Sequence, residues 1–331
     1  DGSPMDYNCR LDIIYPSGAK EKTPVYAVAA TQTPRADNIG HTPGRASLVG
    51  FTFSGYTTAM FDYVYIPMAR DDHYGYIASY GTHTHNAAKS SRAAIRCIRY
   101  FARELGYSEE LIGVAGISKG SPATALLSVV NNKTVSEQNA YTVTVGGKSV
   151  SNKNLYFEGD VIDEKGNVLE ATVQPYLTYE QGYDGEYRAG QTEISSEVTV
   201  SYAAAGGGAK QLYDTSNPTV QLGAKRSDGS VVTHVPMVLS CGYHDEYGCW
   251  DYWDDIQARF AKYATNPYLD FSMEDRGHEY PNGIDPIRDF DRYAAYMAFF
   301  HRYLKPNDYT PATAWILPVN GAREVSVNED I

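Results

Sequence analysis

Short apolar runs recur along the 331-residue chain and predict β-strands. The runs are rich in valine, isoleucine and tyrosine or alternate between apolar and polar positions, and both patterns are typical of strands. They cover residues 9–15, 24–30, 56–63, 111–115, 198–203, 235–240 and 268–273. The first polar segment between them, residues 31–45, contains proline and glycine and is predicted to be a loop.

Helical periodicity lies between these runs. Gly106 gives a stop signal at the end of the clearest amphipathic segment, residues 89–105. The apolar face of that segment consists of Ala94, Ile95, Ile98, Phe101 and Leu105. Further helices are predicted over residues 123–127, 253–263 and 288–304. Because strands alternate with helices, the sequence predicts an α/β fold in which a mostly parallel central sheet is flanked by helices.

The segment of residues 131–195 has a different pattern. It alternates, is rich in turn residues and lacks a helical period, so it predicts a β-rich cap inserted into the core. The expected organisation is a core built from residues 1–130 and 196–304, the inserted cap, and an extended C-terminal tail of residues 305–331.

Composition narrows the function classes. A formal net charge of −12 disfavours nucleic acid and anionic membrane surfaces as partners. No apolar run approaches the roughly 18 residues that a membrane span needs. The 29 tyrosines are unusual, because flat rings stack on sugars or aryl groups and suit an extracellular protein that faces polysaccharide. Most of these tyrosines are nevertheless expected to lie on strand faces.

A Gly-x-Ser-x-Gly pentapeptide runs from Gly116 to Gly120, between the predicted strand of residues 111–115 and the predicted helix of residues 123–127. Strand, sharp turn and helix are the setting in which this motif forms a nucleophile elbow, a turn that lifts the serine hydroxyl clear of the backbone. The two glycines are needed because the turn is strained and the helix packs close to the strand. Ser118 is therefore the candidate nucleophile.

A serine hydroxyl becomes a nucleophile when a base takes its proton and a carboxylate orients that base. In this kind of fold the acid and then the histidine follow the serine along the chain. Asp245 and His278 each follow a predicted strand, so both occur in loops at the carboxyl ends of strands, where Ser118 also lies. Glu246 is an alternative acid, and Asp275 is a weaker one.

The oxyanion hole would be built from backbone N–H groups, so side chains carry no signal for it. One donor is expected at Lys119, and the other near Thr31 or Gln32 in the loop after the second predicted strand. No cofactor is expected. His83 and His85 have the spacing of a metal pair on a strand, but no carboxylate or cysteine is placed to complete a site, and no metal is expected.

The predicted cap carries four closely spaced tyrosines in a stretch that is otherwise rich in glycine and acidic residues. An insertion after the elbow helix is expected to hang over the carboxyl edge of the sheet, where these rings could stack on an aromatic or sugar ring of a substrate. The alternative is that they pack the cap against the core. The four are Tyr176, Tyr179, Tyr183 and Tyr187.

Cysteine spacing leaves two interpretations open. Cys241 and Cys249 bracket a short loop that contains Asp245, and a disulfide between them would close that loop. Two free buried thiols are an equally good interpretation. The four cysteines include no Cys-x-x-Cys pair, which argues against a structural zinc site.

Several of these segments together resemble α/β-hydrolases of the esterase and acyl-peptidase kind. The elbow, residues 242–245 and the pair Gly277-His278 match the family's nucleophile, acid and histidine loops. Three further stretches are similar to its fourth strand ending in Asp-Tyr, its helix before the elbow and its closing helix: residues 55–63, 93–105 and 299–306. The resemblance leaves out the predicted cap and the tail. The run Ile-Ser-Lys-Gly is also locally similar to the elbow of acyl-CoA thioesterases related to bile-acid conjugation.

The residues and the resemblance together predict a secreted or extracytoplasmic serine carboxylic ester hydrolase with an α/β-hydrolase fold. Its expected substrate is a small-molecule or polysaccharide ester, in particular a carbohydrate-linked acetyl or feruloyl-type ester. A serine peptidase or acyl thioesterase on the same fold is the alternative enzyme. A non-catalytic binding protein on a hydrolase scaffold is disfavoured by the intact Ser118, Asp245 and His278. Since this fold hosts many chemistries, the resemblance specifies mechanism better than substrate.

Overall fold

The computed structural model of the protein describes residues 11–16, 19, 21–29, 43–63, 91–117, 120–129, 142–145, 148–151, 161–162, 168–170, 194–204, 233–242, 244, 257–258, 260–262, 269–274, 290–305, 313–316 and 323–326.

Strands and helices alternate along this part of the chain. The strands are β1 (Leu11–Ile14), β2 (Val25–Ala29), β3 (Thr57–Phe61), β4 (Ile112–Ile117), β5 (Thr142–Val145), β6 (Lys148–Ser151), β7 (Val161–Ile162), β8 (Val168–Glu170), β9 (Val200–Ala204), β10 (Met237–Gly242), β11 (Leu269–Glu274), β12 (Thr313–Ile316) and β13 (Arg323–Ser326). The helices are α1 (Pro43–Phe53), α2 (residues 91–105), α3 (Gly120–Val129) and α4 (Phe290–Leu304). Residues 257–258 and 260–262 are also helical.

Seven of the described strands form the central sheet, in the order β1-β3-β2-β4-β9-β10-β11. Within it, β1 runs antiparallel to β3 at one edge, and the other six strands are parallel to one another. All residues of β2 and β3 are buried, as expected for parallel strands that are covered on both faces. The sequence prediction of a mostly parallel sheet is confirmed for these strands.

Alternate side chains of β2 belong to two separate apolar cores, one on each face of the sheet. Val25, Ala27 and Ala29 of β2 lie in the core that contains buried residues of α2 and α3. Tyr26 and Val28 lie in the core that contains buried residues of α1 and α4. The sheet therefore lies between two helical layers, and each residue of β2 is committed to one of them.

Aromatic rings fill the core on the α1 and α4 side. Tyr26 stacks on Phe51 with their ring centroids 3.8 Å apart, and Phe300 approaches Tyr26 edge-on at 5.1 Å. The hydroxyls of Tyr26 and Tyr296 are hydrogen-bonded to each other. These contacts connect α1 and α4 through a single strand, so the two helices are held in one layer.

Most predicted strands and helices are confirmed within a few residues at each end, but one loop prediction was wrong at its C-terminal end. Residues 31–45 were predicted to be a loop, whereas the last three of them belong to α1, which begins at Pro43. Residues 31–42 lie outside the described residues. The helix has no acidic residue in its first turn and no basic residue in its last turn, so the charge pattern that marks helix ends is missing. Its signals were a proline at the first helical position and Gly55 just beyond its end, at a φ of 78° that favours glycine. Gly106, at a φ of 82°, ends α2 as predicted.

The described parts of residues 131–193 are strands. β5 pairs with β6 and β7 pairs with β8, both antiparallel, and the second pair contains an irregularity between Val161 and Ile162. In the C-terminal tail, which was predicted to be extended, β12 pairs antiparallel with β13. That part of the tail therefore folds back on itself.

Buried arginines join α2 to the segment that leads into β9. Arg92 is fully buried, and its Nη1 donates to Ser196 Oγ at 2.7 Å. Arg99 is 8% exposed and donates to three backbone carbonyls, those of Glu109 at 2.7 Å, Glu197 at 2.8 Å and Ser195. Residues 194–198 therefore cover the side of α2 that carries Arg92 and Arg99, in addition to the apolar side that faces the sheet. The helix is more deeply buried than its amphipathic pattern predicted.

Replacing Arg99 by methionine tests this connection. Methionine keeps much of the apolar stem but removes the donors that satisfy three carbonyls, so we expect the free energy of unfolding to fall by about 3 kcal/mol. Urea denaturation measures the change. Arg103→Met on the same helix is the control, because Arg103 has a 58% exposed side chain whose Nε lies 3.3 Å from Glu109 Oε2. The control should change stability by less than about 0.5 kcal/mol. Equal losses in both variants would show that the three carbonyl bonds of Arg99 do not stabilise the fold.

Candidate active site

The candidate nucleophile follows a strand in the middle of the sheet. β4 pairs with β2 on one side and with β9 on the other. It ends at Ile117, and α3 begins at Gly120. Ser118 and Lys119 themselves lie outside the described residues. A strand, a two-residue connection and a helix are the local order that a nucleophile elbow requires.

Gly116 has no room for a side chain. A Cβ atom on Gly116 would lie 2.4 Å from the carbonyl oxygen of Gly120, 2.6 Å from its carbonyl carbon and 2.7 Å from Thr124 Oγ1. Two of these three atoms are backbone, so they move away only if the whole first turn of α3 moves. The start of α3 therefore packs directly on the backbone of β4, which requires glycine at this position of the motif.

Gly120 is the second close contact. A Cβ atom there would lie 3.3 Å from Ala29 Cβ, 3.4 Å from the Ala29 carbonyl oxygen and 3.4 Å from Tyr63 Cε1. The first distance is tighter than usual, the other two are at the limit of ordinary van der Waals contact, and all three exceed those at Gly116. The space beside the first residue of α3 is thus bordered by the last residue of β2 and by the ring of a tyrosine that follows β3.

Small polar residues let α3 lie close to the sheet. Thr124 Oγ1 donates to the carbonyl oxygen of Ser121 at 3.0 Å and lies 3.2 Å from that of Gly120. The Thr124 carbonyl in turn accepts hydrogen bonds from Ser128 at 2.8 Å and from Ser201 of β9 at 3.3 Å. All three hydroxyls donate to backbone carbonyls of α3, so they can be buried. Because these side chains are small, they do not push α3 away from the sheet.

The strands that precede the other two candidate residues end at the same edge. Ile117 pairs with Ala204 of β9, and Ala204 pairs with Ser240 of β10. β10 continues for two further residues, and its last residue, Gly242, pairs with Glu274 at the end of β11. Because all these strands are parallel, their carboxyl ends meet at one edge of the sheet.

The spacing of the strands allows the predicted triad to assemble. Neighbouring strands lie about 4.8 Å apart, which puts β10 about 10 Å and β11 about 14 Å from β4. Asp245 follows Gly242 by three residues and His278 follows Glu274 by four. Extended segments of these lengths reach about 10 and 14 Å. Both loops are therefore long enough to bring their side chains to Ser118.

All the predicted site residues lie outside the described residues, and their roles stay predictions. They are Thr31, Gln32, Ser118, Lys119, Tyr176, Tyr179, Tyr183, Tyr187, Asp245 and His278, together with the alternatives Glu246 and Asp275, the metal-pair candidates His83 and His85, and Cys249 of the predicted disulfide. The structure describes the chain beside each of them: the end of β4 and the start of α3 beside the candidate nucleophile, the end of β10 before the candidate acid, the end of β11 before the candidate histidine, and the end of β2 before the candidate oxyanion loop.

Two described nucleophilic side chains, Ser121 on the elbow helix and Cys97 on α2, are poor alternatives to Ser118. Ser121, the next serine along the chain, is fully buried. Cys97 is a free, buried thiol, and burial raises its pKa to about 12 against the opposing effect of Arg96. At neutral pH Cys97 is therefore protonated and unreactive, since the thiolate is the nucleophile.

Two described histidines do not fit the position of the general base. His234 is buried before the first residue of β10, at the edge of the sheet opposite the elbow. Burial lowers the pKa of His234, and its Nδ1 lies 2.7 Å from the Val235 carbonyl oxygen. His301 lies on α4, where its Nδ1 is 3.3 Å from the Tyr56 hydroxyl. Neither His234 nor His301 is therefore an alternative to His278 as the general base.

Within the described ranges, no cluster of three or more histidine, cysteine or acidic side chains is arranged to hold a metal ion. Among the helices of the same ranges, none has the length and hydrophobicity to cross a membrane.

Comparisons with known proteins identify the fold. No protein-family model matches the chain, and no curated protein sequence matches it. A truncated carbohydrate esterase from gut microbiota is 15% identical, with a TM-score of 0.51 over 89% of this chain and 90% of that chain. A thermophilic esterase from the planctomycete Thermogutta terrifontis is 14% identical, with a TM-score of 0.51 over 91% of each chain. Thermogutta terrifontis esterase 2 phosphorylated by paraoxon is 13% identical, with a TM-score of 0.52 over 92% of each chain. At such low identity these likenesses show a fold in common with esterases.

Sequence reasoning missed one residue of this region. Tyr63 was placed at the end of a buried strand, whereas the structure puts its ring against the first residue of the elbow helix. The Asp-Tyr pair at the carboxyl end of a predicted strand was the available signal, because side chains at that edge lie near the elbow. The contact itself depends on the strand order, which no local pattern reveals.

Replacing Gly116 by alanine tests the elbow geometry. The added methyl group meets backbone atoms of α3, so we expect a loss of more than about 3 kcal/mol in the free energy of unfolding, or failure to fold. Gly113→Ala on the same strand is the control, because its methyl group would meet the side chains of Phe300 and Leu304 at 2.7 and 2.9 Å. We expect the control to lose about 1–3 kcal/mol, as overpacked cores do. Urea denaturation compares them, and a Gly116→Ala protein as stable as the control would refute the close contact.

Proposed function

We propose that the protein is a serine esterase with an α/β-hydrolase fold that cleaves carboxylic esters through an acyl-enzyme. The observation that carries the proposal is the packing of Gly116 against Gly120 around Ser118. A strand in the middle of a parallel sheet that meets a helix after two residues, with no room for a side chain at Gly116 and a narrow space at Gly120, is the arrangement in which a serine becomes an exposed nucleophile. The fold in common with esterases supports this proposal.

Three groups act on the ester in this proposal. Ser118 Oγ attacks the carbonyl carbon while His278 takes the hydroxyl proton, and Asp245 orients the imidazole. The C–O bond to the alcohol then breaks, and His278 returns the proton to the leaving oxygen. Water repeats the sequence on the acyl-Ser118 ester, which releases the carboxylic acid and restores the serine.

The negative charge on the carbonyl oxygen needs backbone donors. Lys119 directly precedes Gly120, and Thr31 and Gln32 follow Ala29, which pairs with Gly116. Donors from these two positions would approach the same oxygen from neighbouring strand ends. Such preorganised donors are commonly worth about 10²–10³ in kcat for each one removed.

We propose carbohydrate-linked acetyl or feruloyl-type esters as the substrates. Tyr176, Tyr179, Tyr183 and Tyr187 provide four rings in the segment between α3 and β9, and rings of this kind stack on sugars and aryl groups. A carbohydrate esterase is among the solved structures with the same fold, which supports this choice. A formal charge of −12 favours a neutral ester over an anionic one.

Replacing Ser118 by alanine tests the mechanism. We expect hydrolysis of p-nitrophenyl acetate to fall by at least about 10⁴-fold, because no other group in the triad can form the acyl-enzyme. Thermal unfolding should be almost unchanged. A fluorophosphonate probe should label the wild-type protein and not the variant, since the probe requires an activated serine.

Ser121→Ala is the matched control for this experiment, because Ser121 is a buried serine of the same helix start. It should keep both labelling and hydrolysis. Near-wild-type hydrolysis by Ser118→Ala would exclude the serine mechanism. Labelling without ester hydrolysis would instead favour a peptidase or thioesterase, and absence of both in the wild-type protein would favour a binding protein.

Alanine replacements of the four tyrosines test the substrate class. A ring that stacks on the substrate should lower kcat/KM for a feruloyl ester by about fivefold, which corresponds to about 1 kcal/mol, while sparing p-nitrophenyl acetate. A ring that packs within the protein should lower the melting temperature and reduce both activities alike. If all four variants behave in the second way, the carbohydrate-ester proposal loses its main support.

A further inference from the structure

The ring of Tyr63 crosses the carboxyl end of a strand to reach the elbow helix. Tyr63 lies two residues beyond β3 and is 3% exposed. In the sheet, β2 lies between β3 and β4. Because Tyr63 Cε1 is 3.4 Å from the position of a Cβ atom on Gly120, the ring must extend past the end of β2 to the start of α3.

The same point is bordered by the last residue of β2. Ala29 Cβ and the Ala29 carbonyl oxygen lie 3.3 and 3.4 Å from the Cβ position of Gly120. Ala29 and Tyr63 also belong to one apolar core. Ala29 and the ring of Tyr63 thus border the space beside Gly120, and these three residues are called the junction below. The ring of Tyr63 is its bulkiest member.

The junction lies between the two sources of the proposed oxyanion donors. Lys119 immediately precedes Gly120, and Thr31 and Gln32 are two and three residues beyond Ala29. A shift of α3 relative to the end of β2 would therefore change the distance between the two N–H groups. Hydrogen bonds to an oxyanion weaken steeply when a donor leaves its best distance, which is about 2.7–3.1 Å.

We propose that Tyr63 is a positioning residue whose ring sets the separation between the start of α3 and the carboxyl end of β2, and thereby the width of the oxyanion hole. The inference rests on the proposed serine mechanism. It adds a side chain to a group of donors that are otherwise backbone. Since the oxyanion exists in the transition state and not in the bound ester, a loosened junction lowers kcat and leaves KM almost unchanged.

Tyr63→Leu and Tyr63→Phe separate the ring from its hydroxyl. With p-nitrophenyl acetate as substrate, Tyr63→Leu should lower kcat by about tenfold or more and change KM by less than about threefold. Tyr63→Phe keeps the ring at Gly120 and should restore most of kcat. A kcat in Tyr63→Leu equal to that of the wild-type protein would overturn the proposal.

Tyr107→Leu is the control for lost packing. Tyr107 is 1% exposed and lies in the same apolar core, but it precedes β4 and is therefore at the opposite edge of the sheet. Its hydroxyl donates to the Ile98 carbonyl oxygen at 2.6 Å. Tyr107→Leu should lower the melting temperature at least as much as Tyr63→Leu, yet leave kcat unchanged at a temperature where both proteins are folded. An equal fall of kcat in both variants would overturn the proposal.

Gly120→Ala changes the junction from the other side. Its methyl group would lie 3.3 Å from Ala29 Cβ and in ordinary van der Waals contact with Tyr63 Cε1 at 3.4 Å. The start of α3 and Ala29 should therefore move apart by a few tenths of an ångström, which should lower kcat. In the double variant with Tyr63→Leu the methyl group occupies space that the ring has left, so kcat should fall by less than the product of the two single effects. Strictly multiplicative effects of the two substitutions on kcat would overturn the proposal. So would an unchanged kcat in Gly120→Ala, and this single variant decides the question if Tyr63→Leu does not fold.

The proposed function is tested separately by Ser118→Ala. If Ser118→Ala abolishes hydrolysis while Tyr63→Leu and Gly120→Ala keep the wild-type kcat, the serine mechanism stands and the role of Tyr63 is wrong. If Ser118→Ala keeps hydrolysis, the proposed function is wrong whatever the Tyr63 variants do.

Discussion

The contact between Gly116 and Gly120 is the constraint on which the rest of the candidate site depends. A helix that starts two residues after a strand has to pass close to that strand, and the Cβ position of Gly116 lies 2.4 Å from the Gly120 carbonyl oxygen. Such proximity leaves no choice of side chain at Gly116. It also fixes where the intervening residues start and end, because strand and helix are each held by their own hydrogen bonds. A two-residue connection between two such ends has few backbone conformations to choose from, which suits the nucleophile proposed above.

Helices pack on the two faces of the sheet in different ways. On the elbow side, α3 presents Thr124 and Ser128, whose hydroxyls bond to the helix backbone, so the helix lies near β4 and β9. On the other side, α1 and α4 are held at a distance by stacked rings, with Tyr26 on Phe51 at 3.8 Å. Gly113 accommodates Phe300 on that face, as Gly116 accommodates α3 on this one. β4 therefore carries its two glycines for different reasons. A helix backbone lies close to Gly116, and an aromatic ring lies close to Gly113.

Patterns that are local in the sequence were predicted well, and those that depend on strand order were not. Periodicity located α2 and the parallel strands, and the Gly-x-Ser-x-Gly motif located the connection from β4 to α3, because each signal lies within a few consecutive residues. The sequence did not reveal α1, whose polar and glycine-containing start resembles a loop. It did not reveal the burial of Arg92 and Arg99 either, since residues 194–198 that cover them are about 100 positions away. Tyr63 falls in the same class, because its contact with Gly120 exists only when β2 lies between β3 and β4.

The amino ends and the carboxyl ends of the parallel strands differ in how they are connected in the described structure. At the amino-terminal edge, backbone hydrogen bonds tie each strand to the segment before its neighbour, as in Val25 to Leu111 at 2.8 Å and Thr199 to Ile112 at 2.7 Å. Arg99 and Lys305 add bonds to backbone carbonyls at that edge, the latter to Ser54 at 2.7 Å. With the frame secured there, the loops at the carboxyl edge do not have to hold the sheet together. They are instead available for function, as loops on a rigid scaffold commonly are, and the proposed acid, histidine and oxyanion donors all fall in them.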